Sequence, residues 1–272
     1  MYKNRSNHGW IQDVLVGPSM LAAADVISTL KHIRNINFNN GRRETSLLKA
    51  AEGGHKDRVQ LLLGRGALIE ARNNCSNTPL HLAACNGHTS TVELLLTKGA
   101  SIEPTNRDYN TPLHLAAQNG QIGIAEILLT KGASLEALNL SYNSPFHLAI
   151  RNGHTAMVEL LLKKGASVTE DVYLYSNTPL HLAASRGYTS IAELLLRKGA
   201  SIGAVDKDYC TPLHRAASGG HTTTVELLLR KGASIEATDK GGRTPSDDAA
   251  QNGHTDIVQL LSGRICFHRS ST

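Results

Sequence analysis

The chain has 272 residues, of which 40% are hydrophobic and only 4% aromatic, and its 28 basic and 23 acidic side chains give a net charge of +5. A charged share of 19% excludes a disordered polyelectrolyte, and the few rings exclude a core built mainly from aromatic side chains, so leucine and alanine must supply most of the buried surface. Residues 45–261 carry 20 basic and 20 acidic side chains, which argues against a nucleic-acid-binding groove along the body of the protein.

The N-terminal region predicts neither a signal peptide nor a membrane anchor. Residues 1–20 show no periodic pattern, and we expect them to be a loose segment. The partly apolar stretch Ile11–Leu30 is interrupted by Asp13, Gly17-Pro18 and Asp25, and no apolar run in the chain approaches the length of a membrane span. We therefore expect no membrane span and a cytoplasmic location, with the nucleus as a second possibility.

A repeated motif begins at Thr45 and continues almost to the end of the chain. It reads Thr-Pro-Leu-His in its clearest copies, and the copies begin at Thr45, Thr78, Thr111, Ser144, Thr178, Thr211 and Thr244. Successive starts are 33 residues apart, except for one interval of 34 between Ser144 and Thr178. Seven copies in so regular a register indicate a repeat protein.

Each copy predicts two helices and a projecting loop, as residues 78–110 illustrate. Thr78 is a suitable N-cap for the first helix, and Pro79 suits the first helical position, where its missing N–H costs nothing. Ala83-Ala84 keep this helix thin, whereas the second helix, through Thr91–Leu96, is apolar on most of its surface. Since no copy can bury its own apolar faces, the copies must stack on one another.

This motif resembles the ankyrin repeat. The resemblance rests on Thr-Pro-Leu-His-Leu-Ala-Ala, then Gly-His, Val-Glu-Leu-Leu-Leu and Lys-Gly-Ala-Ser-Ile, and it covers about residues 44–262. It implies an all-α solenoid of about seven antiparallel helix pairs, with short β-hairpin fingers projecting between them. In this family the first helices and the fingers line a concave surface that usually binds proteins.

The two ends of the array depart from the pattern. When Thr45 is aligned with Thr111, residues Val26–Leu30 align with the apolar second helix of a full copy, so we interpret residues 21–44 as a degenerate N-terminal capping half-repeat. The last copy has Asp247 and Asp248 where inner copies have His-Leu, and a solvated polar face fits a C-terminal cap. The seven repeats then span residues 45–262, and residues 263–272 form a short basic tail.

Individual positions also depart from the family. Serine and glutamate, such as Ser101 and Glu103, stand where the family commonly has aspartate and asparagine. The family often has glycine two residues before the Thr, but here that position is mostly serine or tyrosine, such as Tyr109, and is glycine only at Gly242.

The thirteen histidines raise the question of a metal site. Ten of them recur in the Thr-Pro-Leu-His motif, with its Ser144 variant, and in the Gly-His pair. Metal ligands must converge, whereas histidines one repeat apart point in the same direction. We therefore interpret these histidines as capping and loop hydrogen-bonding residues, and expect neither a metal nor another cofactor.

No pattern predicts catalysis. The chain contains neither a Gly-x-Ser-x-Gly elbow nor a phosphate-binding loop ending in Gly-Lys-Ser/Thr, and adjacent carboxylates such as Asp247 and Asp248 face different directions on a helix. Cys75 and Cys85 lie in the same copy, but further ligands at metal spacing are missing, and the unpaired spacing of the four cysteines favours a reducing compartment. We therefore expect a protein that is not an enzyme.

Function must then depend on the surface. The family register predicts exposure for the residues just before each Thr and for those seven and eight positions after it. Arg215 is added because it replaces a leucine of other copies, such as Leu182, and is expected to face the same groove. The resulting partner-binding candidates are Arg107, Asp108, Tyr109, Leu140, Tyr142, Arg151, Asn152, Tyr173, Leu174, Tyr175, Arg186, Lys207, Tyr209 and Arg215.

The finger before Thr178 is one residue longer than its counterparts, which accounts for the interval of 34. It carries Tyr173-Leu174-Tyr175 where equivalent fingers are polar. Together with Leu140, Tyr142 and Tyr209 on neighbouring fingers, these residues predict an exposed apolar patch of the kind that often marks an interface. The alternative, weighed equally, is that the tyrosines pack on one another and stiffen the fingers.

The favoured hypothesis is a non-catalytic protein–protein interaction module that acts as an adaptor, scaffold or inhibitor. It would bind another protein on the concave face and finger tips, as a monomer, without a small-molecule substrate and without direct contact to nucleic acid. The alternative is a nuclear, transcription-associated regulator recruited through protein contacts, which only Arg42-Arg43 and the basic tail support. An enzyme is the third hypothesis, for which the sequence offers no residues.

Overall fold

The structure, a computed structural model, describes residues 36–168 and 177–269. Within these ranges the chain forms seven helix pairs in the predicted register, which confirms the repeat array. The pairs are α1 (Ser46–Glu52) with α2 (Lys56–Gly64), α3 (Pro79–Cys85) with α4 (Thr89–Thr97), α5 (Pro112–Gln118) with α6 (Ile122–Thr130), α7 (Pro145–Arg151) with α8 (Thr155–Lys163), α9 (Pro179–Ser185) with α10 (Thr189–Arg197), α11 (Pro212–Ser218) with α12 (Thr222–Arg230), and α13 (Pro245–Gln251) with α14 (Thr255–Arg269).

Each first helix begins directly after the residue predicted as its N-cap. In α3 the Oγ1 of Thr78 accepts a hydrogen bond from the backbone N–H of His81, and the Nδ1 of His81 accepts one from the backbone N–H of Thr78 at 3.1 Å. This reciprocal capping satisfies two of the backbone donors that a helix start leaves without a partner. The same arrangement caps α5, α7, α9, α11 and α13, and Asp247 takes the histidine's place in α13.

Alanine and leucine fill the core, as the composition requires. Ala83 and Ala84 of α3 are fully buried because each first helix packs against the first helices of neighbouring pairs and against its own second helix. The second helices contribute larger side chains, such as Val92 and Leu95 of α4. The buried residues form two clusters, and Leu196 of α10 packs against both, so the core continues along the whole stack.

The fingers between the pairs are narrow turns. In the finger before Thr111, the backbone N–H of Tyr109 donates to the carbonyl of Asn106, and the N–H of Asn106 donates to the carbonyl of Asn110. The Oδ1 of Asn106 accepts two further backbone hydrogen bonds, from Asp108 at 3.0 Å and Asn110 at 2.9 Å. In the ranges that the structure describes, β-structure is limited to isolated bridges such as Asn39 with Thr45, so the fingers seen there are turns without extended strands.

Neighbouring fingers are joined by hydrogen bonds. The backbone N–H of Leu140 donates to the carbonyl of Asp108 at 2.8 Å, and equivalent bonds link other fingers along the stack. A second series explains the glutamates that depart from the family pattern: the Oε1 of Glu70 accepts from the N–H of Ser101 at 2.8 Å, and that of Glu103 from Ser134 at 2.6 Å. The longer carboxylate reaches the backbone of the next repeat.

The missing finger glycines leave other residues in the left-handed region of backbone conformation. Ser76 has a φ of 60°, Tyr109 of 59°, and Tyr142 and Tyr209 of 56° each, whereas Gly242 holds the same position in the last repeat with a φ of 75°. Residues other than glycine pay a steric cost in this region. The backbone of these fingers is therefore locally strained, because residues with side chains occupy positions that suit glycine.

The ends of the array are described in part. Residues 1–35, which include the expected loose segment and most of the expected cap, lie outside the described residues. From residue 36 onward the half-repeat behaves as a finger, because the Oδ1 of Asn37 accepts from the N–H of Leu68 at 2.8 Å, as Glu70 does one repeat later. At the other end, α14 continues to Arg269, so it includes most of the segment that we expected to be a tail.

Across the described ranges, none of the helices combines the length and the apolar character that crossing a bilayer requires.

Candidate protein-binding surface

The repeated histidines hold adjacent repeats together, which confirms their structural interpretation. The Nε2 of His81 donates to the carbonyl of Asn110 in the next repeat at 2.9 Å, and that of His114 to Asn143 at 3.0 Å. The Gly-His histidines point the other way along the stack: the Nε2 of His88 donates to the carbonyl of Glu52 in the preceding repeat at 2.8 Å. These imidazoles are thus committed to backbone carbonyls.

Burial keeps two of the capping histidines, His81 and His114, neutral. Desolvation lowers the pKa of both His81 and His114 to about 4, although hydrogen bonds to backbone carbonyls oppose that shift. The neutral tautomer with its proton on Nε2 is the form that can accept at Nδ1 and donate at Nε2, as both bonds require. In the described parts of the chain, no three His, Cys, Asp or Glu side chains gather as metal ligands would.

We call one surface of the stack the inner face. It consists of the finger residues two to four positions before each N-cap, and of the first-helix residues four, seven and eight positions after it. The intervening alanines, such as Ala116 and Ala117, are fully buried, while Gln118 and Asn119 directly after them are exposed. The inner face corresponds to the surface that the family resemblance predicts to be concave.

Most of the predicted partner-binding residues lie exposed on the inner face. Exposed are Arg107, Asp108, Tyr109, Leu140, Tyr142, Arg151, Asn152, Arg186, Lys207 and Tyr209, and Arg215 is half-buried. Tyr173, Leu174 and Tyr175 lie outside the described residues. The expectation that the residue directly before each Thr is exposed was wrong: Asn110 and Asn143 are buried, and the carbonyls of both accept histidine hydrogen bonds.

Two adjacent fingers of the inner face carry three large exposed apolar groups. Tyr109 is 57% exposed, Leu140 61% and Tyr142 46%, and the hydrogen bond from Leu140 to Asp108 holds their two fingers together. Half-buried leucines four positions after the N-caps, such as Leu115, add apolar surface at the base of the groove. This combination of rigid backbone and exposed aromatic side chains is suited to contact with another protein.

In the sixth repeat, the position four residues after the N-cap is charged instead of apolar. Arg215 replaces the leucine of earlier copies, and its Nε donates to the Oδ2 of Asp206 at 2.8 Å. The Asp206 side chain is fully buried, and its Oδ1 also holds the finger through the N–H groups of Asp208 and Cys210. Arg215 is therefore paired with a buried carboxylate, and it is half-buried at the position that we expect to face the groove.

The seventh repeat contains a related pair, and it corrects our expectation for Asp248. Asp247 is exposed and caps α13, and hydrogen bonds from Thr244 lower its pKa. Asp248, in contrast, is buried at the position of Arg215 and lies 3.6 Å from Arg243, and burial raises its pKa. Sequence reasoning missed these buried ions, although aspartate replaces the finger asparagine only in the two repeats that also supply a nearby arginine.

Two cysteines, Cys85 and Cys210, offer little chemical reactivity. The Sγ of Cys85 is half-buried and lies 3.5 Å from the Nδ2 of Asn119, and burial raises its pKa. Burial also raises the pKa of Cys210 to about 11. A thiol with a raised pKa carries little of the reactive thiolate at neutral pH. Cys75 is exposed on its finger, and the three are free thiols.

Comparison with known proteins agrees with this geometry. The sequence model of the family described as Ankyrin repeats (3 copies) matches residues 19–106, 47–139, 113–206 and 180–268. The crystal structure of the human ASB11 ankyrin repeat domain superposes with a TM-score of 0.73 at 27% identity, covering 80% of this chain and 98% of that one. The ankyrin repeat domain of Bcl-3, described as a unique member of the IkappaB protein family, gives a TM-score of 0.66 at 30% identity, covering 76% and 94%. A search of curated proteins found no match.

Proposed function

Because the chain belongs to the ankyrin-repeat family, whose domains generally mediate protein–protein interactions, we propose that it is a non-catalytic module that binds a protein partner on its inner face. The supporting observation is the exposure of Tyr109, Leu140 and Tyr142 on two fingers that are hydrogen-bonded to each other. Exposed apolar groups clustered in this way often mark an interface. Whether the module acts as an adaptor, scaffold or inhibitor depends on the partner.

The construction of the fingers favours tight binding. Asx side chains such as Asn106 hold the described turns, and backbone bonds join neighbouring turns, so little conformational freedom is lost when a partner binds. Tyrosine is among the residues that dominate binding energy, because its large ring carries a polar hydroxyl group. The fold alone does not determine whether a protein partner binds, so the proposal depends on these particular side chains.

Affinity capture with surface variants tests the proposal. The finger variant combines Tyr109→Asn, Leu140→Ser and Tyr142→Asn, and asparagine is chosen for the tyrosines because it tolerates a left-handed backbone. The control combines Leu61→Ser and Ile122→Ser, two exposed apolar residues of second helices. We expect the wild-type chain and the control to capture the same proteins from a lysate, and the finger variant to lose them at an unchanged melting temperature.

Two results would contradict the proposal. Equal capture by the finger variant and the wild type would remove these fingers from the binding surface. A wild-type chain that captures no protein above the level of bare beads would count against a protein-binding role altogether. Scattering from the purified chain tests the accompanying proposal that it is a monomer.

The nuclear, transcription-associated role remains the second candidate. Its support is the exposed pair Arg42-Arg43 on the first finger, and it predicts a cytoplasmic protein that also enters the nucleus. Fractionation of cells expressing a tagged chain tests the location. Retention on DNA that disappears steeply with salt would indicate phosphate contacts, which our proposal of recruitment through proteins does not expect.

A further inference from the structure

Two arginines occupy neighbouring positions of the register at the junction between the fourth and fifth repeats. The register of the junctions shows which inner-face residues are neighbours: the Nδ2 of Asn119 lies 3.5 Å from the Sγ of Cys85, and that of Asn252 lies 3.3 Å from the Oγ of Ser218. In both cases, a residue eight positions after one N-cap contacts the residue seven positions after the preceding N-cap. By the same register, Arg186 of the fifth repeat is the neighbour of Arg151 in the fourth.

This pair differs from the other arginines close to the first helices. Arg215 is paired with Asp206 and Asp208, and Arg243 with Asp239 and Asp248. Neither Arg151 nor Arg186 has a carboxylate partner in the part of the chain that the structure describes, and both are exposed.

Other junctions have neutral or single-charge pairs at these positions, such as Cys85 with Asn119 and Ser218 with Asn252. Adjacent like charges repel each other, so the arginine pair costs stability rather than supplying it. An anion bound between the two guanidinium groups would relieve this repulsion.

The surroundings of the pair are partly apolar. Leu182 is half-buried and precedes Arg186, the C-cap residue of α9, by four residues, whereas Leu148, three residues before Arg151, is buried in the core. Tyr188 replaces the Gly-His histidine at this junction and lies against Gly153, where an added Cβ would come within 2.9 Å of its ring. The junction therefore offers two cations and a phenol beside apolar side chains.

We propose that Arg151 and Arg186 bind carboxylate side chains of the partner, so that the partner presents an acidic segment with apolar residues beside it. This inference rests on the proposed function and specifies its partner. A guanidinium binds a carboxylate through two parallel hydrogen bonds, and the half-buried Leu182 receives an apolar neighbour. The site is distinct from Tyr109, Leu140 and Tyr142, because the seven-residue α7 separates their fingers from Arg151 by about 10 Å.

Selection from a displayed library of random 12-residue peptides tests the proposal on the full chain. The test variant is Arg151→Gln with Arg186→Gln. The control is Arg197→Gln with Lys198→Gln, which removes the same charge from the exposed end of a second helix. We expect the wild type and the control to enrich aspartate and glutamate above the unselected library, and the test variant to lose this enrichment.

Titration of one selected peptide, followed by fluorescence anisotropy, completes the test. Its affinity should fall at least about tenfold for the test variant, and by a similar factor when its own acidic residues are replaced by their amides, at unchanged melting temperatures of the chain. Selection of apolar peptides without acidic enrichment would overturn the carboxylate site and leave the proposed function standing, whereas failure to select any peptide would contradict both. Displacement of the peptide by inorganic phosphate, but not by chloride at equal ionic strength, would assign the pair to phosphate instead and overturn the proposal.

Discussion

The imidazoles of His81, His114, His181 and His214 each close a helix start with one nitrogen and hold the next repeat with the other. His114, for example, accepts from the backbone of Thr111 at 3.1 Å and donates to the carbonyl of Asn143 at 3.0 Å. Protonation of the ring would convert its acceptor nitrogen into a donor aimed at a backbone N–H. The stack therefore depends on rings that remain neutral.

Stability should consequently fall in mild acid. Burial lowers the pKa of His114 to about 4 from its ordinary value of 6.5, so between these values the unfolded chain binds the proton and the folded chain does not. The contribution to stability is complete above pH 6.5 and is lost as the pH falls toward 4. We expect His114→Gln to reduce the slope of unfolding free energy against pH in this window by up to about 1.4 kcal/mol per pH unit. Urea unfolding at several pH values measures this slope, and equal slopes for the variant and the wild type would exclude this role of His114.

The strained finger residues predict a gain of stability from glycine. Ser76 adopts a φ of 60°, and relief of this strain should outweigh the greater freedom of glycine in the unfolded chain. We expect Ser76→Gly to raise the free energy of unfolding by about 0.5 kcal/mol, measured by urea denaturation. The matched control, Ser90→Gly within α4, should lower it by a similar amount because glycine is unfavourable in a helix. A loss at both positions would mean that Ser76 is not strained.

At the scale of single elements, the thinness of the first helices permits their close packing. Ala116 and Ala117 of α5 are fully buried, so their methyl groups form the contact with neighbouring helices. The sequence predicted these helices and their starts correctly, because N-cap, proline and alanine act within a few residues of chain. The predicted hairpins became turns because Asx side chains such as Asn106 supply the hydrogen bonds that a strand ladder would otherwise provide.

Ala117→Leu should therefore destabilise the protein far more than Asn119→Leu. Ala117 has no exposed surface, so a larger side chain overpacks the helix contact at a cost of about 1–3 kcal/mol. Asn119 is exposed, and its replacement removes only its hydrogen bonds to the carbonyl of Leu115 and to Cys85. Chemical denaturation compares the two variants, and equal midpoints would show that the assigned packing is incorrect.

At the scale of the whole molecule, the helix contacts within the described residues join each pair to its immediate neighbours. The sequence predicted the number and order of the repeats from their spacing. It did not predict the burial of Asp206 or Asp248, because each depends on an arginine whose position is set by folding. Arg215 lies on α11, which follows Asp206, and Arg243 lies just before α13, which carries Asp248. The adjacency of Arg151 and Arg186 likewise follows from stacking rather than from separation along the chain.

A core mutation should act locally in such a stack. Leu213 of α11 is fully buried, and Leu213→Ala should cost about 2–5 kcal/mol in the repeats that surround it. Amide hydrogen exchange should accelerate in α9 to α14 while α1 to α4 keep their protection, since coupling decays from neighbour to neighbour. Leu80→Ala in α3 is the matched control near the other end of the stack. It should accelerate exchange in the N-terminal helix pairs and leave the C-terminal pairs protected. Uniform acceleration along the chain would indicate a single cooperative unit.

The acidic last copy also lacks one of the groups by which a stack of repeats holds its next unit. A structure that adds identical units by translation can in principle go on adding them, from its own chain or from other molecules, until it forms a filament. In α13, Asp247 accepts from Thr244 as a histidine would, but its carboxylate has no N–H group with which to hold a further repeat. The outer side of the last repeat therefore lacks the hydrogen bond by which His81 holds the repeat that follows it.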